Sequence, residues 1–573
     1  MSRFVVAFLM LYGVLQAANP PGAALKDRWE KIGTPDFELY TNAGDTAARE
    51  ALENLQQVRG FFLKASPLPL LDQFPVRIIV FKAPEQLEQY TLSAAQTAFF
   101  VSSARRDFIA MSDSPHQYRE AIHEYMHLIV RHSGLRLPTW LNEGWSEVYS
   151  TLRPVDDGVA VGDLIDGRIH TLNFGKWLDI DTLTSIDPHS ATYRGKGDDT
   201  EMFYAESWAL AHMLFLAPDY TDSFPKFLIA IHQGKNFSDA CEAAYGKSGA
   251  AVYADLLKYF QRRKMYGKVY KAPLGKKSPD LEISKVDPFD ARLMLADLLA
   301  AIGRHAEARQ EYAELGKMLP NRFEIAESLG YLASSERNSP LAREQFERAF
   351  AAGDADPRMC LQLAVLEREA KQPADRIVAP LERALQSKPG YTDALLELGL
   401  AHIAARDYES GVAALLKIDK VTPDRATPVY SALAYGYFET GDLARARRDA
   451  ETAKRYAADA GEAQRLDGML EMIEARAKSP FAPQPGEKPL RVEGALRQID
   501  CSSGGNRLIL TIGNRLMVFE LPDSKAVEFI HASGPGTLSV ACGPQKPVWL
   551  TVEYAASSVM DRAIAGVVRR IEY

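Results

Sequence analysis

A phrase that recurs about every 34 residues constrains the fold more strongly than any other feature of the chain. Each copy opens with Leu followed by Ala or Gly, and a small residue stands thirteen positions after that Leu. The opening residues are Leu295, Leu329, Leu398 and Leu433, which are 34, 69 and 35 residues apart. The longest interval leaves room for one degenerate copy around residues 364–384. Because small residues let two helices approach closely, the phrase predicts stacked helical hairpins.

A second set of positions refines this pattern. The small residues are followed four positions later by a residue that is large in three of the four copies; the pairs are Ala308 and Tyr312, Ala342 and Phe346, Gly411 and Leu415, and Ala446 and Ala450. This combination resembles tetratricopeptide repeats. The resemblance implies an all-α superhelix of about five repeats over residues 287–476 that binds a protein partner. A helical bundle that shows this period by coincidence is the alternative.

Composition and the ends of the sequence set further limits. The 573 residues carry a net charge of −8, so the concentrated basic surface that nucleic-acid binding needs is not expected. Residues 1–18 combine Arg3, an apolar run and small residues, which is typical of a secretory signal peptide, with a buried helix or uncleaved anchor as the alternative. We therefore predict an exported protein, periplasmic or secreted. No later apolar run is long enough to predict a transmembrane span in the mature chain.

The C-terminal region has a different pattern from the repeats. A Pro-rich linker is predicted over 477–489, and strand-like runs separated by Gly, Asn and Pro then predict a small all-β domain over 490–573. Cys501 and Cys542 both lie in this domain. In an oxidising compartment they can form a disulfide, and two buried thiols are the alternative.

The region before the repeats mixes strands and helices. Residues 37–41, 76–81, 98–101 and 108–111 are predicted strands, and residues 46–63 form a predicted amphipathic helix. From about residue 117 to residue 270 the pattern is mostly helical. These elements predict a small mixed α/β block over about residues 27–111 followed by a mostly helical block, an α+β arrangement.

A pentapeptide in this domain has the spacing of a metal site. His123-Glu124-Tyr125-Met126-His127 lies in a predicted helix over 118–131, and residues four apart share one face of a helix. Both imidazoles can therefore reach one cation. Glu124 is placed to accept a proton from a zinc-bound water. A helix with two surface histidines is the alternative for the pentapeptide alone.

A second motif follows after a short loop. Leu141-Asn142-Glu143-Gly144-Trp145-Ser146-Glu147 begins a further predicted helix, and Glu143 is the expected third ligand of a His₂Glu zinc site. Glu147, one turn later on the same side, is expected to accept a hydrogen bond from a ligating histidine. Together the two motifs predict one Zn²⁺ per chain.

These motifs resemble those of the gluzincin metallopeptidases, and residues 27–270 resemble the peptidase-MA-like domain of bacterial exported proteins. The resemblance implies a zincin-like fold, with His123, His127 and Glu143 as ligands and Glu124 as general base. It also implies that Tyr204, at the start of a later helix, donates a hydrogen bond to the oxyanion; an ordinary core tyrosine is the alternative. No Gly-x-Met-Glu-Asn-like segment occurs, so recognition of a free amino terminus is not implied.

The sequence thus favours a zinc metallopeptidase, most simply an endopeptidase acting on a peptide or protein substrate. Two other classes remain open. One is a catalytically inactive peptidase-like scaffold that presents its repeats to a protein partner. The other is a structural assembly protein in which the metal only stabilises the fold.

Overall fold

A computed structural model describes the chain over residues 27–65, 74–91, 98–113, 117–155, 158–195, 197–262, 265–271, 281–478, 489–501, 505–523, 526–531, 538–556 and 564–573. The predicted signal peptide and nearly all of the predicted linker lie outside the described residues. The chain divides into two compact units, Met1–Leu363 and Ala364–Tyr573. No helix in the described part of the chain is both long and apolar enough to cross a membrane.

The first unit opens with a mixture of strands and helices, as the sequence predicts for residues 27–270. In chain order its elements are β1 (Glu30–Gly33), β2 (Phe37–Thr41), α1 (Asp45–Ala65), β3 (Val76–Phe81), α2 (Pro84–Glu88), β4 (Ala98–Ser102), β5 (Asp107–Ser112), α3 (Gln117–His132), α4 (Thr139–Ser150), β6 (Arg153–Val155), β7 (Gly158–Val161), α5 (Asp166–Phe174), α6 (Ile180–Ser185), α7 (Ala191–Arg194), α8 (Asp198–Leu216), α9 (Pro218–Thr221), α10 (Phe224–His232), α11 (Phe237–Tyr245), α12 (Gly249–Gln261), β8 (Lys268–Tyr270) and β9 (Ser284–Lys285).

Six of these strands form one mixed sheet in the order β4-β5-β3-β2-β1-β9. The pairs β2–β3 and β3–β5 are parallel, and the other pairs are antiparallel. The predicted strands and the predicted helix of this region all occur, with bounds that differ by two residues at most. Strand β4 lies at an edge of the sheet, next to α3. The small sheet β6-β7-β8 is not among the predicted elements.

Eleven helices follow in the described residues after β9. They are α13 (Pro288–Ala301), α14 (His305–Met318), α15 (Phe323–Ser335), α16 (Ser339–Ala351), α17 (Pro357–Glu369), α18 (Ala374–Ser387), α19 (Thr392–Ala404), α20 (Tyr408–Leu415), α21 (Pro423–Glu439), α22 (Leu443–Arg455) and α23 (Ala460–Lys478). The first ten fall into five successive pairs, which match the predicted number of repeats.

A left-handed residue after the first helix of each pair shows that the five copies are in phase. Gly303, Arg337, Lys371, Arg406 and Gly441 have φ values of 84°, 61°, 54°, 63° and 84°, and they are 34, 34, 35 and 35 residues apart. A left-handed residue at this point ends a helix and turns the chain back. The degenerate copy opens with Leu363-Ala364 and makes the same turn, at Lys371, although Arg376 stands where the other copies have a small residue.

The small residues of the repeat allow the two helices of a hairpin to pack closely, as the sequence predicts. A Cβ atom at Gly330 would lie 2.5 Å from the ring of Phe346, and one at Gly399 would lie 2.6 Å from Leu415. In both hairpins the large residue of the second helix therefore packs directly against the backbone of the first. The array is a tetratricopeptide-like helical fold.

The six-stranded sheet is covered on both faces, which explains why all six residues of β3 are buried. Ile78 and Val80 pack into a core that includes residues of α1, α3, α4 and α8. Ile79 and Phe81 point to the opposite face and pack into a core with residues of α13, α14 and α15. The first repeat helices are therefore part of the same compact unit as the sheet. The predicted domain boundary near residue 270 stays a prediction.

A buried cluster of charges joins the sheet to these repeat helices. Arg105, in the β4–β5 hairpin, forms ion pairs with Asp297 of α13 and Glu327 of α15, the latter at 2.8 Å. It also donates a hydrogen bond to Ser328 at 2.5 Å. The three charged side chains are each 8% exposed or less. This cluster fixes the hairpin that carries the edge strand β4.

The second unit ends in a β domain, as predicted. Its strands are β10 (Pro489–Asp500), β11 (Arg507–Ile512), β12 (Arg515–Glu520), β13 (Glu528–Ile530), β14 (Gly543–Pro544), β15 (Trp549–Ala556) and β16 (Gly566–Glu572). The pairings run β11-β12-β16-β15-β10 and return from β10 to β11, so these five strands close on themselves. Closure removes exposed sheet edges. Cys501 and Cys542 form a disulfide in this domain.

Candidate metal centre

Two histidines one turn apart on α3 form the centre of the site. His123 and His127 present their Nε2 atoms to each other at 3.1 Å. Their rings are nearly perpendicular, with centroids 4.8 Å apart. This arrangement follows from the four-residue spacing on a helix, which puts both side chains on one face. The face is turned toward α4, which packs against α3.

Glu143 of α4 completes the cluster. Its Oε2 atom lies 3.3 Å from His123 Nε2 and 3.5 Å from His127 Nε2. One potential ligand atom from each of the three residues lies within 4.8 Å of the others. The structure therefore brings together the two histidines and the glutamate that the sequence predicts as ligands.

The electrostatics of the three groups are strongly coupled. Burial disfavours the charged form of Glu143, but the histidine charges hold the pKa of this carboxyl well below its ordinary value. Burial likewise opposes protonation of His127, whereas the charge of Glu143 raises its pKa to about 9. A divalent cation bound by these groups would compete with a proton on His127.

Glu124 lies beside these groups on the same helix. Burial raises the pKa of its carboxyl above the ordinary value, although the charges of His123 and His127 oppose the shift. The backbone N–H of Phe100, in the edge strand β4, donates a hydrogen bond to it. A carboxyl with a raised pKa is suited to accept a proton and release it again.

The position of Glu143 depends on an unusually close contact between α4 and α8. A Cβ atom at Gly144 would lie 2.0 Å from the backbone carbonyl oxygen of Ser207 and 2.9 Å from the Cβ of Ala211. Only glycine leaves room for this approach. The glycine that follows the predicted ligand therefore sets how closely α4 packs on α8.

Glu147 has a different environment from the one the sequence predicts. Its Oε1 atom is 4.0 Å from His123 Nδ1, beyond hydrogen-bond distance, and Arg168 of α5 donates to that oxygen at 2.6 Å. Arg119 lies 3.7 Å from its other oxygen. The outer ring nitrogen of the other histidine does have a partner on α4, because His127 Nδ1 lies 3.2 Å from the hydroxyl of Ser146.

Two tyrosines lie next to the cluster, and the sequence predicts only one of them. Tyr204, near the start of α8, has a raised pKa because of burial and then because of the charge of Glu143. The guanidinium of Arg168 lies over the ring of Tyr204, with its carbon atom Cζ 5.2 Å from the ring centroid. The hydroxyl of Tyr193, in the short helix α7, donates a hydrogen bond to Glu143 Oε1 at 2.7 Å.

Three residues at the site are not among the predicted ones. Helical spacing could have found Ser146, because it stands three residues after Glu143 and so occupies the same face of α4. Tyr193 and Arg168 come from the loop-rich stretch between α4 and α8, where no periodicity marks a residue as facing the site. His212 of α8 is buried and contacts the Tyr259 hydroxyl and the Gly162 carbonyl oxygen, so it has a packing role.

Comparison with known proteins finds likeness for the helical repeats. No protein-family model and no curated protein match the chain. Among solved structures, YrrB, described as a TPR protein with an unusual peptide-binding site, is 15% identical with a TM-score of 0.29; the match covers 31% of this chain and 91% of YrrB. TTC0263, a thermophilic TPR protein of Thermus thermophilus, is 20% identical with a TM-score of 0.23, covering 32% of this chain and 99% of its own. PilF of Pseudomonas aeruginosa is 16% identical with a TM-score of 0.27, covering 33% of this chain and 86% of its own.

These likenesses are partial and concern the fold alone. They contain no support for the gluzincin resemblance, which stays a prediction from the sequence motifs.

Proposed function

We propose that the chain is an exported zinc-dependent peptidase whose helical repeats bind a protein partner. The observation that carries the catalytic part is the convergence of His123, His127 and Glu143 on one point, reached from two helices. Two imidazole nitrogens and a carboxylate oxygen are the donor set of many catalytic zinc sites, which leave a fourth position open for water or substrate. Glu143 is buried, the two histidines are half-buried and the three donor atoms face one another, so the residues fit a cation of this class.

When bound, zinc would supply Lewis acidity, which lowers the pKa of a coordinated water and polarises a substrate carbonyl. The remaining tasks fall to side chains of this protein. Glu124 takes a proton from the attacking water and delivers it to the leaving amine, and its raised pKa suits both steps. Tyr204 donates a hydrogen bond to the oxyanion that develops on the substrate carbonyl.

Strand β4 supports a peptide as the substrate. It is an edge strand, it lies beside α3, and the N–H of Phe100 already reaches Glu124. An extended peptide can add to such an edge through backbone hydrogen bonds, which places a peptide bond beside the site without requiring a particular sequence. This geometry suits an endopeptidase.

The repeat array supports the second candidate function, a scaffold without catalytic activity. Five hairpins in phase make up most of the described residues between 288 and 455, and binding of a protein partner does not depend on turnover at the metal site. The interaction role is therefore common to both candidates, and it has the broader support in the fold. Disulfide pairing of Cys501 and Cys542 supports export to an oxidising compartment in either case.

The deciding experiment compares the full chain with its Glu124→Gln variant. Both are assayed for zinc content and for cleavage of a peptide library, with and without chelator. We expect one zinc per chain in both proteins and chelator-sensitive cleavage by the wild type alone. Stoichiometric zinc without any cleavage by the wild type would favour the scaffold, and loss of zinc in Glu124→Gln would show that this residue is a ligand rather than a base.

A matched pair of variants tests the ligand assignment itself. Glu143→Ala removes the carboxylate whose Oε2 faces both imidazoles, whereas Glu147→Ala removes one that pairs with Arg168. We expect the first variant to lose far more zinc than the second. The reverse order would place the third ligand one helical turn later.

A further inference from the structure

The two oxygens of the Glu143 carboxylate have different partners. Oε2 faces the imidazoles of His123 and His127, whereas Oε1 accepts a hydrogen bond from the hydroxyl of Tyr193 at 2.7 Å. A glutamate side chain has three rotatable bonds, so one contact leaves the carboxylate free to turn. Contacts at both oxygens fix which oxygen points toward the histidines.

Tyr193 is itself held in place from two directions. Its backbone N–H donates to the side chain of Ser190 at 3.1 Å, which begins the short helix α7. Its ring packs edge-on against Phe203 with centroids 5.9 Å apart, and lies 6.2 Å from the ring of Tyr204. The hydroxyl therefore has few positions open to it apart from the one beside Glu143.

We propose that Tyr193 is a positioning residue that orients Glu143 for metal binding through one oxygen, Oε2. This inference rests on the metal site of the proposed function and adds a residue that neither motif contains. A hydrogen bond to the outer oxygen stabilises the carboxylate and keeps Oε1 away from the metal position. Partners of this kind orient metal ligands, and their loss typically weakens metal affinity about 10–100-fold.

Tyr204 offers a matched control on the same side of the site. Its ring lies in the same aromatic cluster and its hydroxyl is hydrogen-bonded to Tyr193, whereas no hydrogen bond from it to Glu143 occurs among the described contacts. Replacement by phenylalanine at either position keeps the ring and removes one hydroxyl. The two variants therefore differ in whether the carboxylate loses its partner.

The test measures zinc affinity of the metal-free full chain by competition with a chelator of known affinity. The set comprises the wild type, Tyr193→Phe, Tyr204→Phe and Glu143→Ala, and the absorption spectrum of bound Co²⁺ reports the ligand geometry. We expect Tyr193→Phe to bind zinc about 10–100-fold more weakly with an altered cobalt spectrum, and Tyr204→Phe to match the wild type within about twofold. Equal melting temperatures of the metal-free forms show that the fold is intact.

The outcomes separate this proposal from the one on which it rests. If the wild type binds zinc, Glu143→Ala weakens binding and Tyr193→Phe leaves both affinity and spectrum unchanged, the role of Tyr193 is wrong and the metal site stands. If Tyr204→Phe weakens binding as much as Tyr193→Phe, a specific role for Tyr193 is also overturned. A wild type that binds no zinc, or a Glu143→Ala variant with normal affinity, refutes the metal site itself.

Discussion

Replacement of Gly144 by alanine tests whether close packing of α4 on α8 positions the metal ligand next to it. The new Cβ would lie 2.0 Å from the carbonyl oxygen and 2.5 Å from the carbonyl carbon of Ser207, both of them backbone atoms. Non-bonded heavy atoms prefer separations of about 3.5–4.0 Å, so the helices must move apart by roughly 1 Å or more. No flexible side chain can absorb this displacement.

The expected cost has a thermodynamic and a functional part. Overpacking a well-packed core destabilises a protein by about 1–3 kcal/mol, and we expect a value at or above the upper end because backbone atoms clash. Metal sites tolerate ligand displacements of only about 0.2 Å, so moving Glu143 with its helix should weaken zinc binding at least tenfold. Urea denaturation of the metal-free protein and chelator competition measure the two effects separately.

Gly60 in α1 provides the control, because a Cβ added there meets no atom within 4 Å. Gly60→Ala should stabilise the protein by about 0.5–1 kcal/mol through the better helix propensity of alanine and leave zinc affinity unchanged. A Gly144→Ala variant that is as stable as the wild type would refute the packing argument. A destabilised variant with normal zinc affinity would refute the link between this packing and the position of Glu143.

Three further predictions concern separate parts of the molecule. Arg105→Met removes the closest cation from two buried carboxylates, of which Asp297 keeps Arg77 at 3.8 Å, and should cost about 3–5 kcal/mol in urea denaturation, whereas Arg309→Met, at a half-exposed ion pair, should cost less than about 1 kcal/mol. Burial opposes ionisation of Glu38, but the charge of Arg77 and its neighbours lowers its pKa to about 2 from 4.5. The stability due to Glu38 is therefore present above about pH 4.5 and is lost as the pH falls toward 2. In Glu38→Gln the free energy of unfolding should therefore fall less steeply over this pH range than in the wild type. An equally steep fall would contradict this assignment. Tyr204→Phe should lower kcat about 10²–10³-fold with a similar KM on any peptide that the wild type cleaves, and an unchanged kcat would leave Tyr204 as a packing residue.

Sequence patterns predict the local elements well because each pattern has a direct physical cause. The largely apolar run of β3 predicts a strand, and the structure adds that residues on both sides of this strand are buried because both sheet faces are covered. The repeated phrase predicts the hairpins because Gly330 and Gly399 must admit a large residue from the partner helix. The degenerate copy keeps the opening pair Leu363-Ala364 and the turn at Lys371, and it departs from the pattern only later, where Arg376 replaces the small residue.

The candidate site is predictable to the extent that its residues lie on regular helices. Spacing places His123, His127 and Glu143 on facing sides of α3 and α4, and the structure brings them together. Glu147 is predicted on the correct side of α4, but the sequence does not reveal that Arg168 competes for its carboxylate. Tyr193 is missed because its position depends on how an irregular stretch folds back over the site, and such tertiary contacts leave no local pattern.

The most direct test of the account is to locate the metal in crystals of the full chain grown with zinc, from anomalous differences recorded on both sides of the zinc absorption edge. The account predicts a single zinc peak at coordinating distance, about 2.0–2.2 Å, from His123 Nε2, His127 Nε2 and Glu143 Oε2. Absence of zinc at this position, or a peak held by other residues while these three side chains remain bonded to one another, would contradict the central claim.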